Sequence, residues 1–211
     1  MDVSHHNNIN DRNKVAADRV KAVYIKLTEG KVHVDENVYK NYLGAKNSGL
    51  RVDFYYYYHC TNDYKKEVDF FLSKLHKIKP DLPHCLNLEE SKGQSKAKVN
   101  AFTLVWLGYI EKKTAITPIL YTGYSFLSNF TTGVATKYPL SVSCYAAGSK
   151  RSIGFSNLGD SKLWNRWAMF QFIDEGRING IRGNVDVNEM DLAFFKNIDA
   201  QVVLTGDANP P

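Results

Sequence analysis

The chain has 211 residues, of which 44% are hydrophobic, 13% aromatic and 23% charged. These proportions are typical of one soluble globular domain and exclude a disordered or fibrous chain. No stretch approaches the ~18 consecutive apolar residues that a membrane span requires, so membrane insertion is excluded as well.

The chain carries a formal net charge of +5 at pH 7, and many of its lysines lie between residues 65 and 98. Such lysines usually form a solvated helical face, and an anion-binding surface is the alternative. No RNP, zinc-finger or helix-turn-helix pattern accompanies them, which argues against a nucleic-acid partner. Anionic polymers of a cell wall remain a possible partner.

The first ten residues contain neither a basic leader nor an apolar stretch, so we expect synthesis in the cytoplasm without a secretory signal. The three cysteines, Cys60, Cys85 and Cys144, are too few and too widely spaced for a disulfide framework or a zinc site with CxxC spacing. We therefore expect three free thiols.

Short strand-like runs alternate with helical stretches along the chain, which is typical of βα units. Strands are predicted for residues 1–4, 22–28, 50–58, 83–89, 118–122, 139–145, 168–173 and 184–187, and helices for 36–48, 62–78 and 99–111. Helices become sparse after residue 138. The sequence therefore predicts an α/β fold, a TIM-like (β/α) barrel of eight strands with a degenerate last third. Residues 199–211 have the composition of a linker.

Side-chain alternation predicts which residues face the barrel mouth. Catalytic groups of parallel barrels project from the C-terminal strand ends, and every second residue of a strand points inward. In strand 83–89 this places Cys85, Asn87 and Glu89 inside. The same rule directs Asp2, Ser4, Tyr55, Tyr57, Tyr121, Tyr145, Gln171 and Asp186 toward the same opening.

Carboxylates that converge with tyrosines suit a carbohydrate substrate. Carboxylates transfer protons and stabilise a developing cation, while tyrosines stack on sugar faces and hydrogen-bond to hydroxyls. A single strand-end aspartate is more often a helix cap, and a tyrosine is more often part of the core, so only the convergence indicates a site.

Several motifs occur in an order that resembles glycoside hydrolase family 25, the muramidases of bacteria and their phages. The resemblance covers residues 1–198, which we interpret as the catalytic domain. Its most specific parts are Asp2-Val3-Ser4, Lys26-Leu27-Thr28-Glu29-Gly30, Leu86-Asn87-Leu88-Glu89 and Val185-Asp186-Val187-Asn188.

The resemblance implies a flattened barrel that cleaves the β-1,4 bond between N-acetylmuramic acid and N-acetylglucosamine in peptidoglycan, without a metal or organic cofactor. Glu89 matches the general acid/base, and Asp2 and Asp186 match two supporting acidic positions. Tyr55, Tyr121 and Tyr145 match tyrosines on the substrate side, to which side-chain alternation adds Tyr57 and Gln171. We expect a phage endolysin that acts on the wall after release, with a wall-binding domain beyond the linker.

The chain departs from the family pattern at a catalytic position, because Asn87 stands where the family has aspartate. Asn87 could still accept a hydrogen bond from the substrate acetamide, but it cannot neutralise positive charge. The expected cost is on the order of 10²- to 10⁴-fold in rate. Removing a carboxylate there would also lower the pKa of Glu89. The alternative function is therefore a weakened or inactive barrel that binds wall glycans.

Tyr56, Asp53 and Ser141 also differ from the residues usual in the family, namely histidine, glycine and tryptophan. Asn87 could be an engineered substitution or a natural one, and these further departures favour natural divergence. A barrel enzyme for an unrelated small molecule is the weakest alternative, since no Gly-rich phosphate-binding loop is present.

Overall fold

The computed structural model describes residues 1–58, 63–75, 78–145 and 163–205, with side chains described through residue 198. The strands are β1 (Asp2–Val3), β2 (Asn8–Ile9), β3 (Ala22–Glu29), β4 (His33–Val34), β5 (Arg51–Tyr57), β6 (Cys85–Asn87), β7 (Ile119–Gly123), β8 (Leu140–Ser143), β9 (Met169–Gly176), β10 (Ile181–Arg182) and β11 (Val185–Met190). The helices are α1 (Arg12–Ala17), α2 (Val38–Asn47), α3 (Tyr64–Leu75), α4 (Lys96–Thr114), α5 (Thr132–Ala135) and α6 (Leu192–Thr205), and a 3₁₀ helix spans Tyr124–Asn129.

Eight of these strands close a barrel in the order β1-β11-β9-β8-β7-β6-β5-β3, and the parallel pairing of β1 with β3 completes the ring. These are the eight strands that the sequence predicts, so the α/β barrel is confirmed. The expectation that all strands run parallel is wrong for β11, which is antiparallel to both β9 and β1. The connection from β9 to β11 is too short for a parallel crossover, which needs a dozen or more residues.

The two-residue strands β2, β4 and β10 were not predicted, because so short a segment shows no alternation. β4 extends the sheet beside β3, and β10 pairs with β2 outside the barrel. The three predicted helices correspond to α2, α3 and α4, with ends that differ by a few residues. Helix α6 was missed, and the predicted domain boundary at residue 198 falls inside it.

The helices cover the outer face of the strands through an aromatic core. Tyr56 is fully buried on the outer face of β5, where it stacks on Trp106 of α4 with ring centroids 5.2 Å apart. Phe71 of α3 packs edge-on against the same tyrosine at 6.2 Å. Tyr56 is therefore a core residue, as alternation predicts, and it takes no part in the barrel mouth.

The base of the barrel contains a buried contact between a histidine and an aspartate. Nδ1 of His84 lies 2.7 Å from Oδ1 of Asp53, and both side chains are almost inaccessible. Burial raises the pKa of Asp53, and the contact with His84 opposes that effect. The Tyr24 hydroxyl donates to the carbonyl of Pro83 nearby. Asp53 therefore belongs to the closed end of the barrel.

Cys85 is buried inside the barrel as a free thiol, and Cys144 is a half-buried free thiol. Cys60 lies outside the described residues. None of the described helices is long and apolar enough to cross a lipid bilayer.

Candidate active site

Strands β1 and β11 bring two aspartates together at one rim of the barrel. Asp2 and Asp186 are direct partners in the antiparallel pairing of these strands. Because β11 runs in the opposite direction, its beginning lies at the same rim as the carboxyl ends of the parallel strands. The predicted convergence of Asp2 and Asp186 therefore holds, although the strand direction assumed for it was wrong.

Two side-chain amides bind one oxygen of Asp2. Gln171 of β9 donates from Nε2 to Oδ2 of Asp2 at 2.9 Å, and Asn188 of β11 donates from Nδ2 to the same atom at 2.7 Å. Two donated hydrogen bonds favour the ionised form of a carboxyl group. Asn188 was not among the predicted site residues, although alternation along the Val-Asp-x-Asn motif places it on the same face as Asp186.

Gln171 also connects Asp2 to two tyrosines. The hydroxyl of Tyr121 donates to Oε1 of Gln171 at 2.7 Å, and the hydroxyl of Tyr145 donates to the same oxygen. The oxygen of the amide thus faces the tyrosines and its nitrogen faces Asp2. Gln171 is only 2% exposed, whereas Tyr145 is 46% exposed. Gln171 therefore orients its neighbours, and Tyr145 presents a surface to solvent.

Glu89 lies directly after β6, beside Asn87 and Tyr121. Burial raises the pKa of Glu89, while hydrogen bonds with Asn87 and Tyr121 oppose that effect. The negative charges of Asp2 and Glu90 raise the pKa further. The absence of a carboxylate at position 87 was expected to lower this pKa, but burial outweighs it. A raised pKa keeps a carboxylic acid able to donate a proton near neutral pH.

Asp186 is the most strongly perturbed carboxyl group of the rim. Burial, followed by the charge of Asp2 and a hydrogen bond with it, raises the pKa of Asp186 to about 8. Asp174 and Glu89 add smaller contributions in the same direction. A pKa of about 8 favours the protonated form of Asp186 at neutral pH, and in that form its hydroxyl can donate a hydrogen bond to Asp2.

The remaining predicted tyrosines lie on β5. Tyr55 is hydrogen-bonded to Ser4, and its pKa is raised by burial and by the negative charges of Asp2 and Asp186. Tyr57 lies near Glu89, whose charge contributes to its raised pKa after burial. Both predicted tyrosines thus border the acidic groups.

Two residues of the Lys-x-Thr-Glu-Gly motif, Lys26 and Glu29, also lie at the mouth, although they were not among the predicted site residues. Nζ of Lys26 lies 2.5 Å from Oε2 of Glu29 and 5.0 Å from the ring centroid of Tyr57. The Lys26 side chain is only 10% exposed. Side-chain alternation along β3 directs Lys26 into the barrel, and this alternation could have identified Lys26 as a site residue from the sequence.

The described residues contain no group of three or more His, Cys, Asp or Glu side chains that could hold a metal ion. The mouth combines Glu89, a carboxyl group with a raised pKa, with Asp2, a carboxyl group that accepts two amide hydrogen bonds, and with several tyrosine hydroxyls. Such a set can protonate a leaving oxygen and stabilise an oxocarbenium-like transition state.

Comparison with known proteins agrees with this chemistry. The family model of Glycosyl hydrolases family 25 matches residues 1–181. An autolytic lysozyme of Clostridium acetobutylicum is 30% identical over 179 residues, which is 85% of this chain and 51% of that protein. The chain thus spans about half the length of this relative.

Solved structures show the same fold. A bacterial lysozyme from Streptomyces coelicolor superposes with a TM-score of 0.80 at 22% identity, covering 99% of this chain and 97% of that one. The CTP1L endolysin superposes with a TM-score of 0.78 at 24% identity, covering 94% of this chain and 68% of that one.

Proposed function

The chain belongs to glycosyl hydrolase family 25, and from that premise we propose that it is an N-acetylmuramidase, a lysozyme that hydrolyses peptidoglycan. The bond cleaved is the β-1,4 linkage between N-acetylmuramic acid and N-acetylglucosamine. One observation supports this most directly: Glu89, with its raised pKa, lies at the mouth beside Asn87 and Tyr121, and the charge of Asp2 acts on it.

In the proposed reaction, Glu89 is the general acid. It donates its proton to the glycosidic oxygen, the bond from that oxygen to the anomeric carbon breaks, and the leaving sugar departs as an alcohol. The 2-acetamido oxygen of the substrate attacks the anomeric carbon as the bond breaks. Water then opens the resulting ring at the same carbon, and Glu89 regains its proton from that water.

Asp2 supplies the negative charge that stabilises the cationic transition state in this proposal. Its ionised form is supported by the amide hydrogen bonds from Gln171 and Asn188. Asp186 assists as the protonated partner of Asp2. Asn87 contributes a hydrogen bond rather than a charge, which we expect to slow the reaction relative to a carboxylate.

Tyr55, Tyr57, Tyr121 and Tyr145 are proposed to border the glycan. Tyr145 is the most exposed of them and offers a face for a sugar ring. Gln171 acts on the glycan indirectly, through Tyr121 and Tyr145, because it is buried beneath their hydroxyls.

A second candidate function is a barrel that binds wall glycans without cleaving them. The specific observation in its favour is Asn87, whose neutral amide stands at the strand end beside the proposed acid. In this case the tyrosines and Asp2 would bind the glycan, and the reaction would stop before bond cleavage.

We further propose that residues 1–198 are the catalytic unit of a phage endolysin that is made in the cytoplasm and reaches the wall after release. The family that the motifs resemble includes phage as well as bacterial muramidases, and the CTP1L endolysin has the same fold. The net charge of +5 suits additional contact with anionic wall polymers.

Digestion of purified peptidoglycan tests the function. The products are reduced with borohydride and identified by mass spectrometry, with a Glu89→Gln protein as control. Reduced muramic acid at the new ends supports a muramidase, and reduced glucosamine contradicts it. Co-sedimentation with walls, without any released fragment, would favour the binding barrel.

A further inference from the structure

A small cavity lies inside the barrel directly beneath the active-site mouth. Its volume is about 30 Å³, and its lining includes the polar side chains of Asp2, Asn87, Ser141 and Asn188 as well as three tyrosines. Cys85 and Met169 form part of its apolar floor. A cavity needs only about 10–15 Å³ of such volume to hold one water molecule, provided that polar groups line it.

Two polar atoms of this lining have no hydrogen-bond partner among the described residues. They are Oδ1 of Asn87 and Oγ of Ser141, and both atoms are buried. Ser141 is 1% exposed, so bulk solvent cannot reach its hydroxyl. Buried polar groups without a partner are rare in native proteins, because their desolvation is not compensated.

We propose that one ordered water molecule occupies this cavity and joins Asn87 to Ser141. The water donates one hydrogen to Oδ1 of Asn87 and accepts one from the hydroxyl of Ser141. Its second hydrogen faces the Asp2 carboxylate, which also lines the cavity. All three groups are then satisfied, and the water makes the three hydrogen bonds that are typical of buried water.

This water determines which end of the Asn87 amide faces the mouth. With Oδ1 turned down to the water, the NH₂ group is turned up toward Glu89, with which Asn87 is hydrogen-bonded. Asn87 is then a hydrogen-bond donor on the substrate side. We therefore expect Asn87 to donate a hydrogen bond to Glu89 or to a carbonyl oxygen of the glycan. It would not accept one from the substrate acetamide, as the sequence had suggested.

Ser141 becomes a positioning residue in this arrangement, since it acts on Glu89 through the water and Asn87. The donated hydrogen bond favours ionised Glu89 and so limits how far burial raises its pKa. The consequence for catalysis rests on the proposed function, but the water and the amide orientation do not.

Neutron diffraction, or X-ray diffraction at atomic resolution, tests the water directly. We expect one peak about 2.6–3.2 Å from both Oδ1 of Asn87 and Oγ of Ser141, with the deuterons of the amide directed to Glu89. A dry cavity, a cation at shorter distances, or an amide with its NH₂ group directed into the cavity would each overturn the proposal. None of these outcomes depends on hydrolytic activity.

A cavity-filling variant tests the effect on Glu89. Ser141→Val expels the water and releases the amide, so we expect the titration midpoint of Glu89, followed by carboxyl ¹³C NMR, to rise by about one pH unit. Thr103→Val is the control, because it likewise replaces a fully buried hydroxyl residue with valine, on α4 and outside the barrel. An unchanged midpoint in Ser141→Val, or an equal rise in Thr103→Val, contradicts the positioning role.

Discussion

Asp2 and Asp186 face each other across the pairing of β1 with β11, and the charge of Asp2 contributes to the raised pKa of Asp186, which favours one shared proton at neutral pH. The amides of Gln171 and Asn188 both donate to Asp2, an arrangement that favours the charge on Asp2 and the proton on Asp186. Two adjacent carboxyl groups therefore present one negative charge to the mouth. This arrangement avoids the repulsion that two ionised groups would suffer.

The raised pKa of Asp186 makes the fold less stable as pH rises. In the unfolded chain this group titrates near 3.8, and in the folded protein near 8. The folded state thus binds more protons between these values, and stability falls as pH rises from about 4 to about 8. Asp186→Asn removes this dependence, so its gain in Tm over the parent should be several degrees larger at pH 8 than at pH 5.

Thermal unfolding of both proteins at the two pH values measures this difference. Glu175→Gln is a matched control, because Glu175 is an exposed acid on the neighbouring strand β9. The difference in Tm between Glu175→Gln and the parent should be the same at pH 5 and pH 8. If Asp186→Asn shifts Tm equally at pH 5 and pH 8, the shared proton is not present.

Glu89→Gln should lower wall lysis by ~10² or more while the fold is kept, because glutamine retains size and hydrogen bonding but has no transferable proton. Lysis by the parent requires protonated Glu89, so its rate should fall as pH rises through the pKa of this group. Turbidity loss of a wall suspension measures both. Lysis by the variant at the parent rate would remove Glu89 from the mechanism.

Gln171→Leu should lower kcat by roughly 10-fold to 10²-fold and leave KM nearly unchanged. The substitution removes the amide that binds Asp2 and the oxygen that accepts from Tyr121 and Tyr145. Because Gln171 is buried, it orients groups rather than contacting the glycan. Steady-state kinetics on a soluble glycan fragment separates the two parameters, and a change in KM alone would show a direct binding role.

Alternation along the strands was sufficient to predict which side chains share the barrel mouth. The inward positions of Asp2, Asn87 and Gln171 follow from the side-chain period of two and from the rule that parallel strands end at one rim. The outward direction of Tyr56 in the structure agrees with the same rule. The motif order added the family, which the comparisons confirm, and the proposed role of Glu89 as acid/base, which stays a prediction.

Other features depend on tertiary contacts that a single sequence does not display. The direction of β11 follows from the length of the chain that precedes it, and the proton on Asp186 follows from its register with Asp2. The bond from Asn188 to Asp2 joins residues at opposite ends of the chain. The cavity beneath Asn87 exists only where Ser141 meets it inside the closed barrel.

Cys85 should react with a thiol reagent only when the protein unfolds. Burial raises the pKa of this thiol well above its usual range, and the thiolate is the reactive form. Labelling followed by peptide mass spectrometry should find half-buried Cys144 modified before Cys85, and the denatured, non-reduced protein should contain three free thiols. Equal native labelling rates for Cys85 and Cys144 would contradict the burial of Cys85.

Asn87→Asp should raise wall lysis by roughly 10²-fold or more, because it restores the negative charge that the neutral amide lacks beside the reacting carbon. Like-charge repulsion would also raise the pKa of Glu89, so the alkaline limb of the pH profile should move upward. The water proposed between Ser141 and this position can donate a hydrogen bond to the new carboxylate. Lysis by both proteins at matched pH measures the gain. A loss would mean that the site has been rebuilt around Asn87 with Asp2 as its only charge, and an absence of lysis in both would favour the glycan-binding barrel.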